Sequence, residues 1–355
     1  MLSFNSASVR SVNSDRAIAE CLDIAFPEGL PGDIRLFVMH STLGHKLNKL
    51  GAALSRLVPG AEVAGCSASG IIGREGVGES MTDVALMAVS GPAEECVTAG
   101  VSEIYGHNAY EKGLELARAL KAKAPALTAI YLLCPGIDIA NDLVLRAMTE
   151  TFGEEVDIFG GTSSDNMRGL VNYQYYGGVM SEHNAWAEYT RRLSLPETSL
   201  CGDTIPVGAL AEKLPPALAE EYGNPHILRV ITKYDPDGAV YYPVTCPEGL
   251  EVWLTSRDED LIFSEQKRSL EYLTSQMGGK KPVAVFQTDC LARGRFLFNK
   301  VVKDEIIAMM HSFLNNNQGE TPPWLGMYGF GEYARLGGRN AYHNYSTALL
   351  TLYRE

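Results

Sequence analysis

Trp324-Leu-Gly-Met-Tyr-Gly329-Phe-Gly-Glu332-Tyr-Ala-Arg-Leu-Gly337-Gly-Arg-Asn-Ala-Tyr-His343-Asn-Tyr-Ser346-Thr-Ala-Leu-Leu-Thr-Leu-Tyr353 holds five glycines, one acid and a His-Asn pair in thirty residues. The apolar start and the mixed apolar, hydroxyl and aromatic end both have strand composition. Between them the glycines allow backbone geometry that β-branched residues refuse. The stretch reads as a strand, a glycine-rich turn carrying Glu332, a loop with His343 and Asn344, and a strand from Ser346 to Tyr353.

Two earlier segments repeat its plan. Ile34 to Met39 reads as a strand, Leu43, Leu47, Leu50, Leu54 and Leu57 fall on one helical face, and Glu62 to Gly70 reads as a second strand ending in small residues. Leu127 to Cys134, a stripe of Val144, Ala147, Met148 and Phe152, and Val156 to Asp165 give the same order. With Phe37 aligned on Tyr131, Gly65 and Gly160 follow after 28 and 29 residues, so the units match in size. A third runs from Val283-Ala-Val-Phe286 through Val302, Ile306, Met309, Met310 and Phe313 to Gly329. Three such units point to an α/β fold with mixed sheets and packed helices.

The remaining chain supplies the frame. Asp15 to Ile24 is a short amphipathic helix. Val84 to Val89 and Cys96 to Val101 have strand composition, and Asn108 is placed to cap the helix that carries Leu114, Ala117 and Leu120. Leu170 to Met180 and Ala185 to Leu193 read as a hairpin across Ser181 to Asn184, with His183 in its turn. Residues 195–225 contain five prolines and read as an inter-domain connection. Strands from His226, Ala239 and Leu250 and a helix from Asp258 to Met277 follow.

With 355 residues and 46% hydrophobic content, the chain can bury two cores. Its net charge of -13 excludes general nucleic-acid binding, which Lys and Arg drive by displacing counterions. The start has no charged segment followed by an apolar one, and no apolar run reaches the ~18 residues of a membrane span. A cytoplasmic protein is expected. Seven scattered cysteines with no C-x-x-C pair favour reduced thiols.

The chain resembles the FIST proteins, bacterial sensory modules with a FIST N-terminal and a FIST C-terminal domain. Gly65-Cys66-Ser67 and Gly160-Gly161-Thr-Ser-Ser-Asp165 are similar to the paired glycine turns of the first domain. Pro247-Glu-Gly249, Phe286 to Arg293, Gly331-Glu332 and His343-Asn344 are similar to successive signatures of the second. The stretch from Glu188 to Tyr222 is short and departs from the family pattern. The resemblance implies an extension over residues 1–29, one domain over 30–195, a linker over 196–221 and a second domain over 222–355.

Ligands in such sheets collect beyond the carboxyl ends of strands. Those ends carry His40, Gly65, Cys66 and Ser67 in the first unit, Cys134, Gly161 and Asp165 in the second, and Cys290, Arg293, Gly331, Glu332 and Asn344 in the third. Arg293 and Glu332 suit either a structural ion pair or the holding of a polar ligand.

Two functions compete. The resemblance implies a sensor that signals to a separate histidine kinase, cyclic-dinucleotide enzyme or chemotaxis protein, and a homo-oligomer is compatible with it. Its leading named ligand is haem, as in a nitric-oxide-sensing branch of the family, with His343 ahead of His40 as axial residue. Amino acids or other metabolites are the alternative. The competing class is a hydrolase or acyl-transfer enzyme. Gly65-Cys-Ser67-Ala-Ser69 nearly matches a nucleophile elbow, in which Cys66 or Ser67 would be activated by His40 or His45, but Ser69 stands where the elbow needs glycine. A sensor without catalysis is the expectation.

Overall fold

The computed structural model describes residues 1–137, 139–165, 179–180, 184–297 and 300–354. The chain opens with β1 (Ser3–Arg10) and α1 (Ser14–Ala25), whose first turn is capped by the Asn13 side chain accepting the Arg16 amide. The first unit is β2 (Ile34–Ser41), α2 (Leu47–Leu57) and β3 (Glu62–Ser67). Next come β4 (Gly70–Gly73), β5 (Gly76–Gly78), β6 (Asp83–Ser90) and α3 (Ala109–Lys123). The second unit is β7 (Ala129–Cys134), α4 (Asn141–Phe152) and β8 (Asp157–Thr162).

After β9 (Val179–Met180) the chain forms α5 (Ala185–Arg192), α6 (Cys201–Thr204), β10 (Gly208–Lys213), α7 (Pro216–Tyr222) and β11 (His226–Arg229). It continues through β12 (Lys233–Tyr234), β13 (Val240–Tyr241), β14 (Trp253–Ser256) and α8 (Glu259–Gln276). The third unit is β15 (Pro282–Cys290), α9 (Lys300–Phe313) and β16 (Trp324–Gly329). The chain then runs through β17 (Glu332–Leu336), β18 (Arg339–His343) and β19 (Thr347–Tyr353).

In all three units the two strands are parallel neighbours, which requires a crossover such as the intervening helix. Their ends are in register: His40 lies opposite Cys66, Cys134 opposite Thr162, and Cys290 opposite Gly329. The first two units also share a glycine for one physical reason. A Cβ at Gly65 would strike the carbonyl of Met39, and one at Gly160 the carbonyl of Leu132, each on the partner strand.

Antiparallel strands extend every pair into a mixed sheet, in the orders β1-β6-β2-β3, β19-β15-β16-β4-β5 and β18-β17-β8-β7. The last two sheets join the first half of the chain to the second, because β16 pairs with β4 and β17 with β8. The fold is therefore α/β with mixed sheets. Every residue of β6 and of β16 is buried, as in strands covered on both faces. Phe37, Leu86, Met87 and Trp324 are at most 1% exposed, and each such side chain contributes about 1.5–3 kcal/mol by leaving water.

Several local expectations change. Residues 1–29 supply β1, which pairs along its whole length with β6. Residues 196–221 hold α6, β10 and α7, and β10 is the central strand between β11 and β14. Residues 96–101 form no strand, and the Thr98 carbonyl accepts from the Lys123 ammonium at 2.7 Å instead of from a neighbouring strand. Asn108 does not cap α3 with its side chain, which instead accepts the Tyr105 amide at 2.7 Å.

Ala185 to Leu193 is not a strand but α5, capped by Asn184 and burying Trp186, Tyr189 and Thr190 at helical spacing. Most of its expected partner strand and His183 lie outside the described residues. The quoted C-terminal stretch also folds further than its composition suggests. Gly337 and Gly338, at φ 62° and 71°, form a two-residue hairpin turn, so Glu332 opens β17 and His343 closes β18 rather than sitting in loops.

Candidate functional site

At the carboxyl ends of the first unit, neighbouring parallel strands set His40 and Cys66 side by side. The Cys66 Sγ lies 3.5 Å from His40 Nδ1, and the other ring nitrogen, Nε2, lies 2.8 Å from the Tyr131 hydroxyl of β7. The Met327 thioether of β16 closes the group, 3.3 Å from Cys66 Sγ. Burial lowers His40 to about 3 and raises Cys66 to about 12, so thiol and imidazole are both neutral at pH 7. An activated cysteine needs the opposite shifts. His45 does not reach Ser67; its ring contacts the Ser14 hydroxyl at 3.0 Å and the Thr82 carbonyl at 3.3 Å.

A second polar group gathers around β15, β17 and β18. Asp289 Oδ1 accepts from Arg293 Nε at 2.7 Å, and Arg293 donates onward to Gln266 Oε1 at 2.6 Å. Asp289 Oδ2 accepts from Gln287, whose carbonyl takes the Trp324 indole N–H at 3.0 Å. Arg293 thus finds its anion four residues back in its own segment, and the expected pairing with Glu332 is absent. Glu332 instead accepts from the Ser346 hydroxyl at 2.8 Å and amide at 3.2 Å.

This group of polar side chains is buried. Glu332 Oε1, His343 Nδ1 and Asn344 Oδ1 are buried without a hydrogen-bond partner among the described residues. Burial, with Asp289 adding to it, pushes Glu332 well above the usual carboxylate range against the opposing Ser346 bonds, and it pushes the Cys290 thiol up as well. His343 falls to about 4 through burial and the nearby Arg229 guanidinium. Its Nε2 lies 3.4 Å from the Ala334 carbonyl, and its ring stacks on Tyr222 at 5.6 Å.

The other expected site residues divide between these groups. Gly65 is exposed, Ser67 is half-buried with its carbonyl accepting from Ser164, and Asp165 is buried. Gly161 and Gly331 lie between the groups: Gly161 pairs with Glu332, and a Cβ on Gly331 would collide with the Tyr342 hydroxyl. The Asn344 amide donates to the Phe330 carbonyl at 3.0 Å. Sequence reasoning missed Tyr131, Met327 and Asp289. For Asp289 a signal existed, since it stands four residues before Arg293.

Of the two histidines, His343 keeps a ring nitrogen, Nδ1, that is buried without a hydrogen-bond partner among the described residues. Both ring nitrogens of His40 are engaged, and Tyr222 covers one face of His343. Among the described residues no three His, Cys, Asp or Glu side chains form a metal-binding group.

Open space lies elsewhere. A cleft of about 580 Å³ is walled on one side by α4, through Asp142, Arg146 and Glu150, and on the other by Glu212, Arg229 and Tyr342. Arg229 is held by Glu212 at 2.6 Å and by the Tyr342 carbonyl at 3.1 Å. Strand β18 separates this cleft from the buried polar group, with Tyr342 lining the cleft and His343 next to it in the chain.

Among the described residues no helix is long and apolar enough to cross a membrane. A comparison with curated proteins finds none that matches. Residues 35–192 match the FIST N domain and residues 185–335 the FIST C domain. The two matches follow one another over the three strand-helix-strand units, and the chain belongs to the FIST family of sensory domains that bind small ligands.

Proposed function

We propose that the protein is a sensor for a small zwitterionic metabolite of the amino-acid class, bound in the cleft between α4 and β18. The observation that carries this reading is the cleft's mixed wall. Arg229 and Arg146 suit a carboxylate, Asp142 and Glu154 suit an ammonium group, and Leu145, Ile227 and Val244 supply apolar surface. Its α4 wall lies in the FIST N match and Glu212, Ile227 and Arg229 of the opposite wall lie in the FIST C match, so a ligand that touches both favours one relative arrangement of the two domains. That arrangement is what a separate kinase, cyclic-dinucleotide enzyme or chemotaxis protein would read.

A thermal-shift screen of amino acids and dipeptides, followed by calorimetry of any hit, tests the reading. A ligand whose affinity falls at least about tenfold in both Arg229→Ala and Asp142→Ala supports it. Hits that bind equally well to both variants would sink it. Haem on the unpartnered Nδ1 of His343 is the competing reading, and a haem titration belongs in the same screen. A Soret band that shifts in the unsubstituted protein and not in His343→Ala would replace the metabolite reading with the haem one.

A further inference from the structure

We propose that His40, Cys66 and Met327 form a binding site for one copper(I) ion, distinct from the cleft. The three side chains come from β2, β3 and β16, with Cys66 Sγ 3.5 Å from His40 Nδ1 and 3.3 Å from Met327 Sδ. Imidazole, thiolate and thioether form a soft donor set, the kind that selects monovalent copper over magnesium, calcium or manganese. With metal bonds of roughly 2.0–2.3 Å, two donors in a trigonal site stand roughly 3.5–4 Å apart. The Cys66–His40 separation needs to open by about 0.2 Å and the Cys66–Met327 separation by about 0.7 Å, the larger step falling on the flexible methionine.

The surroundings support a metal in three ways. Tyr131 holds the far nitrogen of His40 at 2.8 Å; with that nitrogen donating its proton to the hydroxyl, the Nδ1 lone pair faces the thiol. Ala68 and Leu133 pack around Cys66 and Met327 and keep carboxylate and water ligands away. Gly161 leaves room for the Met327 methyl, since a Cβ there would stand 3.2 Å from it.

Charge decides the valence. On binding, the Cys66 S–H bond breaks, its proton goes to solvent and a sulfur–copper bond forms, with no change of oxidation state. The thiolate and Cu⁺ together are neutral, which a buried site tolerates. A divalent ion would leave a net positive charge where Cys66 is only 7% exposed and His40 and Met327 are 0% exposed. Zinc, which favours four ligands of N, O and S⁻ type, finds two of them here. Because Met327 belongs to the third unit and the other two donors to the first, the ion would tie the two halves of the chain together.

The test is an anaerobic titration of the full-length protein with copper(I) against a chromophoric chelator such as bicinchoninate. One equivalent should transfer from the chelator, and X-ray absorption should show two sulfurs and one nitrogen around the ion. Met327→Leu, close in volume and expected to fold, should weaken binding about tenfold, and Tyr131→Phe by about 10–100-fold through loss of imidazole orientation. Cys66→Ser should weaken it by roughly a hundredfold or more and remove one sulfur from the absorption spectrum. No transfer from the chelator overturns the proposal. So does affinity that is unchanged in Met327→Leu and Cys66→Ser, which would place copper on other cysteines such as Cys134.

Discussion

Asp289 and Arg293 are 1% and 9% exposed, and each is tolerated in the core because the other is there. Removing the cation alone leaves a buried carboxylate, so Arg293→Ala should destabilise the protein by about 3–5 kcal/mol in chemical denaturation at pH 7. Glu332 is a contrasting case, since burial raises its carboxyl well above the usual range and so favours the protonated form. Glu332→Gln keeps the shape and, being neutral in both states, removes the cost of taking up a proton on folding, so it should raise stability at pH 7 and leave it nearly unchanged at pH 4; a loss at pH 7 would mean that the ionised form is the native one. The pH dependence follows from the same groups. His40 and His343 titrate near 3 and 4 in the folded protein against an ordinary value of 6.5, so the unfolded chain binds more protons between those limits. Their contribution is complete above pH 6.5 and is lost as pH falls, by about 1.4 kcal/mol per unit for each histidine. Glu332 and Asp289, both raised, act in the opposite sense: stability present below their ordinary values declines as pH rises through the folded ones. Urea midpoints measured from pH 4 to 9 should show His40→Gln flattening the acid limb and Glu332→Gln the alkaline one.

At the scale of elements, the β17–β18 hairpin presents Glu332 and His343 as direct cross-strand partners, and its turn makes that register possible. Gly338 has open space around it, so a substitution there meets only the left-handed backbone and no neighbour. Gly338→Val should cost about 1–2 kcal/mol, whereas Gly338→Asn, which tolerates that conformation, should cost much less. Equal losses in thermal melts would show that packing rather than φ sets the price. The hairpin also marks what could be read in advance. Apolar stripes such as Val144, Ala147 and Met148 and the matched spacing of Gly65 and Gly160 are local, and they located all three units. The nearness of His40 to Cys66 follows from two strand ends in one unit. Tyr131 and Met327 reach the same point only because separate sheets pack together, and no short-range pattern encodes that. Composition likewise misread α5, where aromatic residues at helical spacing look much like a strand.

Across the whole molecule, the long-range pairings have the largest consequences. Strand β16 lies between β15 of its own unit and β4, about 250 residues earlier, and its Trp324, Met327 and Tyr328 are at most 1% exposed. Strand β17 completes the sheet that β7 and β8 begin. The two family domains are contiguous in sequence, yet each supplies strands to sheets of the other. If the chain is divided between residues 195 and 196, the first piece keeps β4 and β8 with unpaired edges, and the second keeps β16 and β17 with theirs. Such edges with apolar faces favour aggregation over independent folding. The expected result is that 1–195 and 196–355, expressed separately, give no cooperative thermal transition by circular dichroism, while co-expression yields a complex that melts as one unit. A cooperative transition in either piece alone would show that its core suffices without the shared sheets. The cleft would then lie between two independently stable bodies, and ligand binding would act by docking them rather than by biasing one continuous fold.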